Sequence, residues 1–353
     1  MSNIPSICIA GRRIGSEMPP YVIAELSANH NGSLEIALKL IDKAKEAGAD
    51  AIKLQTYTPD TITLDCDSQD FQIHGGLWDG KTLYQLYKEA HMPWEWHKPL
   101  FEHACKIGIT IFSSPFDKSA VDLLEDFNVP AYKIASFEVV DLPLIKYVAS
   151  TGKPIIISTG MANAEEIEEA ITAAREGGCT ELAILHCVSG YPAQAEDYNL
   201  VTITDIINRF GVVTGLSDHT LDNNTAITSI ALGASIIEKH FTLDRNGGGP
   251  DDSFSLEPSE LTNLCNSIKV SWKALGKINY ELKSSESNNV KFRRSLYFVK
   301  DLEKGELITE ESIRSVRPGF GMAPKHIQNI IGKQLLVSVK ANTPVLVSCI
   351  KVM

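Results

Sequence analysis

No stretch of the chain strings together the roughly 18 apolar residues that a helical membrane span needs, so no membrane partner is expected. The opening segment, MSNIPSICIAGRRIG, lacks the continuous apolar core of a secretory signal. The seven cysteines are odd in number, scattered, and without a C-x-x-C pair. That excludes a zinc finger or a disulfide framework and points to a reducing, cytoplasmic setting with mostly inert thiols. An excess of positive charge is also missing: 33 Lys and Arg face 44 Asp and Glu, a net charge of −11. A nucleic-acid partner is therefore not expected, although the local field of a cleft can still favour a small anion. Neither P-loop spacing nor the Gly-rich first turn of a dinucleotide-binding sheet occurs.

What the chain does contain is ordinary globular composition, 44% hydrophobic and 22% charged over 353 residues. That length accommodates one large α/β domain and a small one. From residue 21 short apolar runs alternate with helical, polar-faced segments. The runs are YVIAELS, AIKLQT, TIFSSP, AYKIAS, PIIIST, ELAILHC, VVTGLSD and SIIEKHFT, eight in all. Between them, segments such as SLEIALKLIDKAKEAG place apolar residues at three- and four-residue spacing and end in glycine, a common helix stop. Eight β-then-α units over about 250 residues predict an α/β fold, a (β/α)8 TIM barrel. The connection after the second run is oversized, and long βα loops commonly shape a substrate site. The barrel domain is expected over 1–282, a polar linker over 283–289, and a small β-rich domain over 290–353.

In a barrel, inward residues recur at every second position and catalytic groups collect at the C-terminal strand ends. Those ends are polar in all eight runs. They carry Glu25 with Ser27 and Asn29; Lys53 and Gln55; Ser113 and Ser114; Lys133, Ser136 and Glu138. Ser158 follows, then His186, Ser189 and Tyr191, then Ser217, Asp218 and His219, and finally Glu238 and His240. His219 and His240 close neighbouring strands and suit a divalent metal with open positions for substrate, or two hydrogen-bonded structural histidines. Lys53 and Lys133 with the surrounding serines suit a phosphate and a carboxylate; a Schiff-base lysine is the competing reading. The glycines of NGGGPDD read as a loop rather than a phosphate nest, and Cys187 as a buried inert thiol. Period two sends Glu238 and His240 to one face and Lys239 to the other, where the sequence assigns it no role.

The segments AELSANHNGS, IKLQTYTPD, FSSPF, YKIASFE, ISTGM, LHCVSGYP, GLSDHT, IEKHFTLD, GGPDDSFSLEP and VRPGFG resemble the sialic acid synthase family, in family order across nearly the whole chain. Within that family AELSANH, QTYTPDTITL, GGLWDG and KIASFE look most like the branch that makes pseudaminic acid. The resemblance implies condensation of phosphoenolpyruvate with an amino sugar, and a C-terminal antifreeze-like (SAF) domain. It implies that Lys53, Ser114, Lys133, Ser136, Ser158, Ser189 and Ser217 hold phosphoenolpyruvate, and that His219 and His240 bind a divalent cation, manganese or magnesium. Glu25, Gln55, Glu138 and Tyr191 would orient the sugar or handle protons. Arg317 would reach the site from the partner subunit of a domain-swapped homodimer. The alternatives are an N-acetylneuraminate or legionaminic acid synthase, a Schiff-base pyruvate lyase, or a sugar- or ice-binding protein.

Overall fold

A computed structural model of the protein describes residues 5–351. The chain divides into two compact units, one ending at Gly276 and the other beginning at Lys277. The first unit opens with a hairpin, β1 (Ile7–Ile9) and β2 (Arg12–Ile14), turned at Ala10 and Gly11, both at positive φ. Eight parallel strands then close into a barrel: β3 (Tyr21–Glu25), β4 (Ala51–Thr56), β5 (Thr110–Pro115), β6 (Tyr132–Ile134), β7 (Ile155–Ser158), β8 (Leu182–Cys187), β9 (Val213–Asp218) and β10 (Ile236–His240). Each strand pairs with the next in sequence, and β10 returns to pair with β3. This is the predicted (β/α)8 architecture.

The helices of this first unit are α1 (Leu34–Ala47), α2 (Pro59–Ile62), α3 (Leu83–Ala90), α4 (His97–Ile107), α5 (Lys118–Asp126), α6 (Leu142–Ala149), α7 (Ala164–Glu176), α8 (Thr202–Phe210), α9 (Asn224–Ala231) and α10 (Pro258–Leu275). Their limits follow local chemistry. The Asp117 carboxylate accepts from the amides of Ser119 and Ala120 to start α5, and Asn163 with Glu166 forms a capping box on α7. Gly48 and Gly108 take the left-handed conformation that ends α1 and α4. The short helices α2 and α3 lie within the oversized connection between β4 and α4.

The strand residues divide by parity. Outward ones such as Ile52, Leu54, Leu216 and Ile237 pack beneath the helices. Inward ones at the N-terminal end, including Tyr21, Ile23, Phe112, Ile156 and Ile236, fill the barrel floor together with Ile7, Ile9 and Ile14 of the hairpin. The hairpin thus plugs the bottom, each buried isoleucine contributing about 1.5–3 kcal/mol. Apolar filling stops partway up, and the remaining inward positions are polar.

In the second unit, β11 (Ser295–Phe298) and β12 (Ile313–Val316) form an antiparallel pair, joined by isolated bridges such as Leu302 to Val339 and Leu335 to Ile350. Leu296, Phe298, Ile308, Ile313, Leu335 and Val345 form its core. The stretch read as linker carries a 3-10 segment, Ser284–Phe292, which belongs to this second unit.

Candidate active site

The inward residues at the strand ends meet in one charged cluster. The Lys53 ammonium lies 2.6 Å from Glu25 Oε2 and 3.8 Å from Glu238 Oε2. Lys133 Nζ lies 3.4 Å from the other oxygen of Glu238. Register accounts for these meetings: Lys53 is the cross-strand partner of Glu25, and Ser217 that of Glu238. Ser217 donates to Glu238 at 3.0 Å, Lys53 to Ser114 at 3.3 Å, and Gln55 to both Glu25 and Ser27 at 3.0 Å. All four charged residues are at most 5% exposed. Charges so buried persist only when paired or when ready for a ligand.

The cluster is not electrically uniform. Burial alone would depress both ammonium groups. At Lys53 the carboxylates of Glu238 and Glu25 outweigh it and raise the pKa, whereas Lys133, farther from compensation and repelled by Lys53, ends below its ordinary value. Burial pushes the Glu25 carboxyl up to about 7 against the pull of Lys53. Glu238 runs the other way: Lys133, Lys53 and the Ser217 hydroxyl overcome desolvation and hold it ionised. The Lys53–Glu238 pair is therefore charged, and Glu25 is the carboxyl that titrates near neutrality. Glu138 is likewise raised to about 7, chiefly by burial. Glu25 Oε2 and Glu238 Oε2 face the Lys53 ammonium, whereas the buried Ser158 Oγ and Glu138 Oε2 have no hydrogen-bond partner among the described residues. Orphaned buried polar atoms in a cleft mark where a ligand completes the hydrogen bonding.

Beside the cluster, the Ser136 and Ser189 hydroxyls lie 2.8 Å apart. Gly160 presses against them: a Cβ there would stand 2.4 Å from Ser136 Cβ and 2.6 Å from Ser189 Oγ. The imidazoles of His219 and His240 sit with ring centroids 5.4 Å apart, and Tyr191 packs on His219 at 4.5 Å. His219 Nδ1 donates to the Val188 carbonyl at 2.7 Å, so Nε2 is the nitrogen left for a metal; against burial, Cys187 and that carbonyl hold the pKa of this imidazole above its ordinary value. His240 Nδ1 is buried without a hydrogen-bond partner among the described residues, 3.8 Å from Asp251. Burial, then the positive charges of its neighbours, keeps its pKa well below the imidazole range and its ring neutral. Two imidazoles, one backed by a carbonyl, fit a divalent cation, which would displace any proton on the His219 nitrogen it takes. Among the described residues no three His, Cys, Asp or Glu side chains converge as a complete cage. Most of a cation's coordination sphere would thus belong to water or substrate.

Not every strand-end polar group faces this site. Ser113 turns outward to Thr56, whose hydroxyl also bonds His97. His186 bonds the Tyr198 carbonyl, and Asn29 braces Phe241 and Ser255. Lys239 and Asp218 form an ion pair of 2.8 Å outside the barrel. Arg317 is an exposed residue of the second unit, just beyond β12. The loop 246–252 is no phosphate nest: the Gly249 amide donates to Asp252, which also takes a bond from Asn31. Sequence reading passed over Asp251, which is buried and bonded to Ser27, and Phe254, which packs 5.0 Å from His240. It also passed over Trp78, whose indole donates to the Pro250 carbonyl at 3.0 Å. These residues lie in loops, where no periodicity marks them.

A parallel (β/α)8 barrel whose C-terminal mouth gathers paired lysines, carboxylates, hydroxyls and two imidazoles is a barrel enzyme built for anionic chemistry. The chain belongs to the NeuB family, whose model matches residues 40–280, and a SAF domain follows at 293–351. It is 46% identical to the pseudaminic acid synthase of Campylobacter jejuni, across 91% of this chain and 93% of that protein. Identity to the pseudaminic acid synthase of Helicobacter pylori is 45%, across 92% and 96% of the two. The crystal structure of the N-acetylneuraminic acid (sialic acid) synthetase from Leptospira borgpetersenii superposes with a TM-score of 0.73 at 32% identity, covering 82% of this chain and 96% of that one.

Proposed function

We propose that this enzyme condenses phosphoenolpyruvate with 2,4-diacetamido-2,4,6-trideoxy-β-L-altropyranose and water, giving pseudaminic acid and phosphate. The observation that carries the reading is the 46% identity to the Campylobacter synthase over nine-tenths of both chains. The charged mouth supplies the chemistry. Lys53 and Lys133, with the hydroxyls of Ser114, Ser136, Ser158, Ser189 and Ser217, hold the phosphate and carboxylate of phosphoenolpyruvate; the orphaned Ser158 hydroxyl is one of the groups awaiting it. His219 and His240 hold a divalent cation, manganese or magnesium, which when bound polarises the aldehyde of the open-chain sugar. Carbon 3 of phosphoenolpyruvate forms the new bond to that aldehyde carbon, and positive charge develops at carbon 2. Carboxylates such as Glu138, Glu25 and Glu238 stabilise that charge. Water then adds at carbon 2, and the tetrahedral product breaks its C–O bond to expel phosphate. Gln55 and Tyr191 orient the sugar. Fixing two substrates face to face supplies a large share of the acceleration.

Arg317 reaches this mouth from the SAF domain of a partner subunit, in a domain-swapped homodimer working in the cytoplasm. The test is phosphate release from phosphoenolpyruvate with a panel of acceptors: the diacetamido altrose, the diacetamido precursor of legionaminic acid, and N-acetylmannosamine. Turnover of the first is expected. Turnover of N-acetylmannosamine alone would overturn the assignment to this branch.

A further inference from the structure

The oversized connection between β4 and α4 does more than close the barrel. A cavity of about 180 Å³ opens at the mouth, and its two sides differ in character. One side comes from strand ends and is polar: Gln55, Ser136, Glu138 and His240. The other comes from the connection itself, with Phe116 beyond β5, and is largely apolar and aromatic: Tyr57, Ile62, Trp78, Leu86 and Tyr87. This wall is assembled, not incidental. Tyr57 stands edge-on to both Tyr87 and Phe116, with ring centroids 5.6 and 5.1 Å apart. The Trp78 indole is tied to the Pro250 carbonyl, 172 residues away in sequence, and lies 5.9 Å from Tyr191. The connection is thereby fastened across the mouth to the loop that follows β10.

We infer that this aromatic wall selects the acceptor sugar, by receiving the methyl at its carbon 6 and the methyls of its acetamido groups. The inference rests on the function proposed above. A hexose whose hydroxyls at carbons 4 and 6 are replaced by acetamide and hydrogen presents apolar atoms where N-acetylmannosamine presents hydroxyls. Against aromatic and aliphatic side chains, a hydroxyl gives up its water without gaining a partner. The polar side of the cavity serves the reacting end of the sugar, and the wall discriminates at the distal end. Apolar pockets tell apart ligands that differ by one hydroxyl or methyl by about 10- to 100-fold, which sets the size of the effect.

The test compares two probe acceptors, 2,4-diacetamido-2,4,6-trideoxy-L-altrose and the same sugar keeping its 6-hydroxyl, by phosphate release. The unaltered enzyme should favour the 6-deoxy sugar in kcat/KM by about 10- to 100-fold. Ile62→Asn and Tyr87→Ser change half-buried wall positions. Each should bring that ratio close to unity while leaving the KM for phosphoenolpyruvate unchanged. Trp78→Ala, which cuts the tether at a partly exposed residue, should lower the ratio in the same direction. If the variants keep the normal KM for phosphoenolpyruvate and also keep the normal ratio, the wall is only scaffold and the inference is overturned. If the unaltered enzyme releases phosphate with neither diacetamido sugar, the proposed function itself fails, and this inference with it.

Discussion

Lys239 lies one residue before a proposed cation ligand, yet points away from the site. Its side chain is 2% exposed, and its ammonium pairs with Asp218 at 2.8 Å. It also donates to the carbonyls of Thr220 at 2.7 Å and Asp222 at 2.8 Å. Those acceptors lie at the end of β9 and in the loop just past His219, so one cation staples that turn to β10. Lys239→Met keeps the length of the stem and removes the charge. It leaves a buried carboxylate and two carbonyls without their donor, although Thr220 still bonds Asp218 through its amide and hydroxyl. Breaking a buried pair in this way costs about 3–5 kcal/mol. At about 2–4 °C per kcal/mol for large domains, Tm should fall by about 6–20 °C.

Scanning calorimetry and a urea midpoint at pH 7 measure the loss directly. The double variant Lys239→Met, Asp218→Asn provides the control, because a neutral amide removes the stranded charge and keeps an oxygen that accepts from the Thr220 amide and hydroxyl. It should recover part of the lost stability, with the two carbonyls still unsatisfied. A fall in Tm below about 2 °C for Lys239→Met would show that water reaches Asp218 and would refute the buried-staple account. A double variant no better than the single one would refute it too, by removing the stranded charge as the source of the cost.

Glu138 holds its proton up to about pH 7 in the folded state, against an ordinary value of 4.5, so between those values the native protein binds more protons than the unfolded chain and stability declines as pH rises. Glu138→Gln should lessen that decline in thermal melts and weaken the acid limb near pH 7 in kcat/KM, leaving the part owed to Glu25, because in the proposed mechanism the ionised carboxylates stabilise positive charge. Gly160→Ala drives a methyl between the hydroxyls of Ser136 and Ser189 at a φ of +44°, and steady-state kinetics should show the KM for phosphoenolpyruvate raised about 10- to 100-fold. His219→Ala and His240→Ala should each weaken manganese binding to the metal-free protein at least about tenfold in isothermal titration. EDTA should abolish phosphate release and added manganese or magnesium restore it, whereas activity that survives chelation would favour the Schiff-base reading.

The barrel and its charged mouth were legible for one physical reason: strand side chains alternate with period two, whatever lies beyond the strand. That parity sufficed to put Lys53 with Gln55, and Glu238 with His240, on one face and Lys239 on the other. It could not say which polar residues near a strand end carry structure instead. Ser113 and His186 face helices and loops whose approach is settled by packing, so their bonds to Thr56 and the Tyr198 carbonyl had no sequence signal. The hairpin at Ile7–Ile14 has strands of only three residues, too short for periodicity to stand out, although its Ala-Gly turn and alternating isoleucines were visible. The loop contributions were hidden most deeply. Trp78 meets Pro250, and Ser27 meets Asp251, across most of the barrel's length in sequence; only closure of β10 onto β3 brings them together. Lys239 shows both regimes in a single side chain. Its direction follows from parity along its own strand, whereas its partners come from the end of a different strand and the loop beyond it. A strand pattern can therefore announce that a buried charge exists and which way it points, but what neutralises it is a property of the closed barrel.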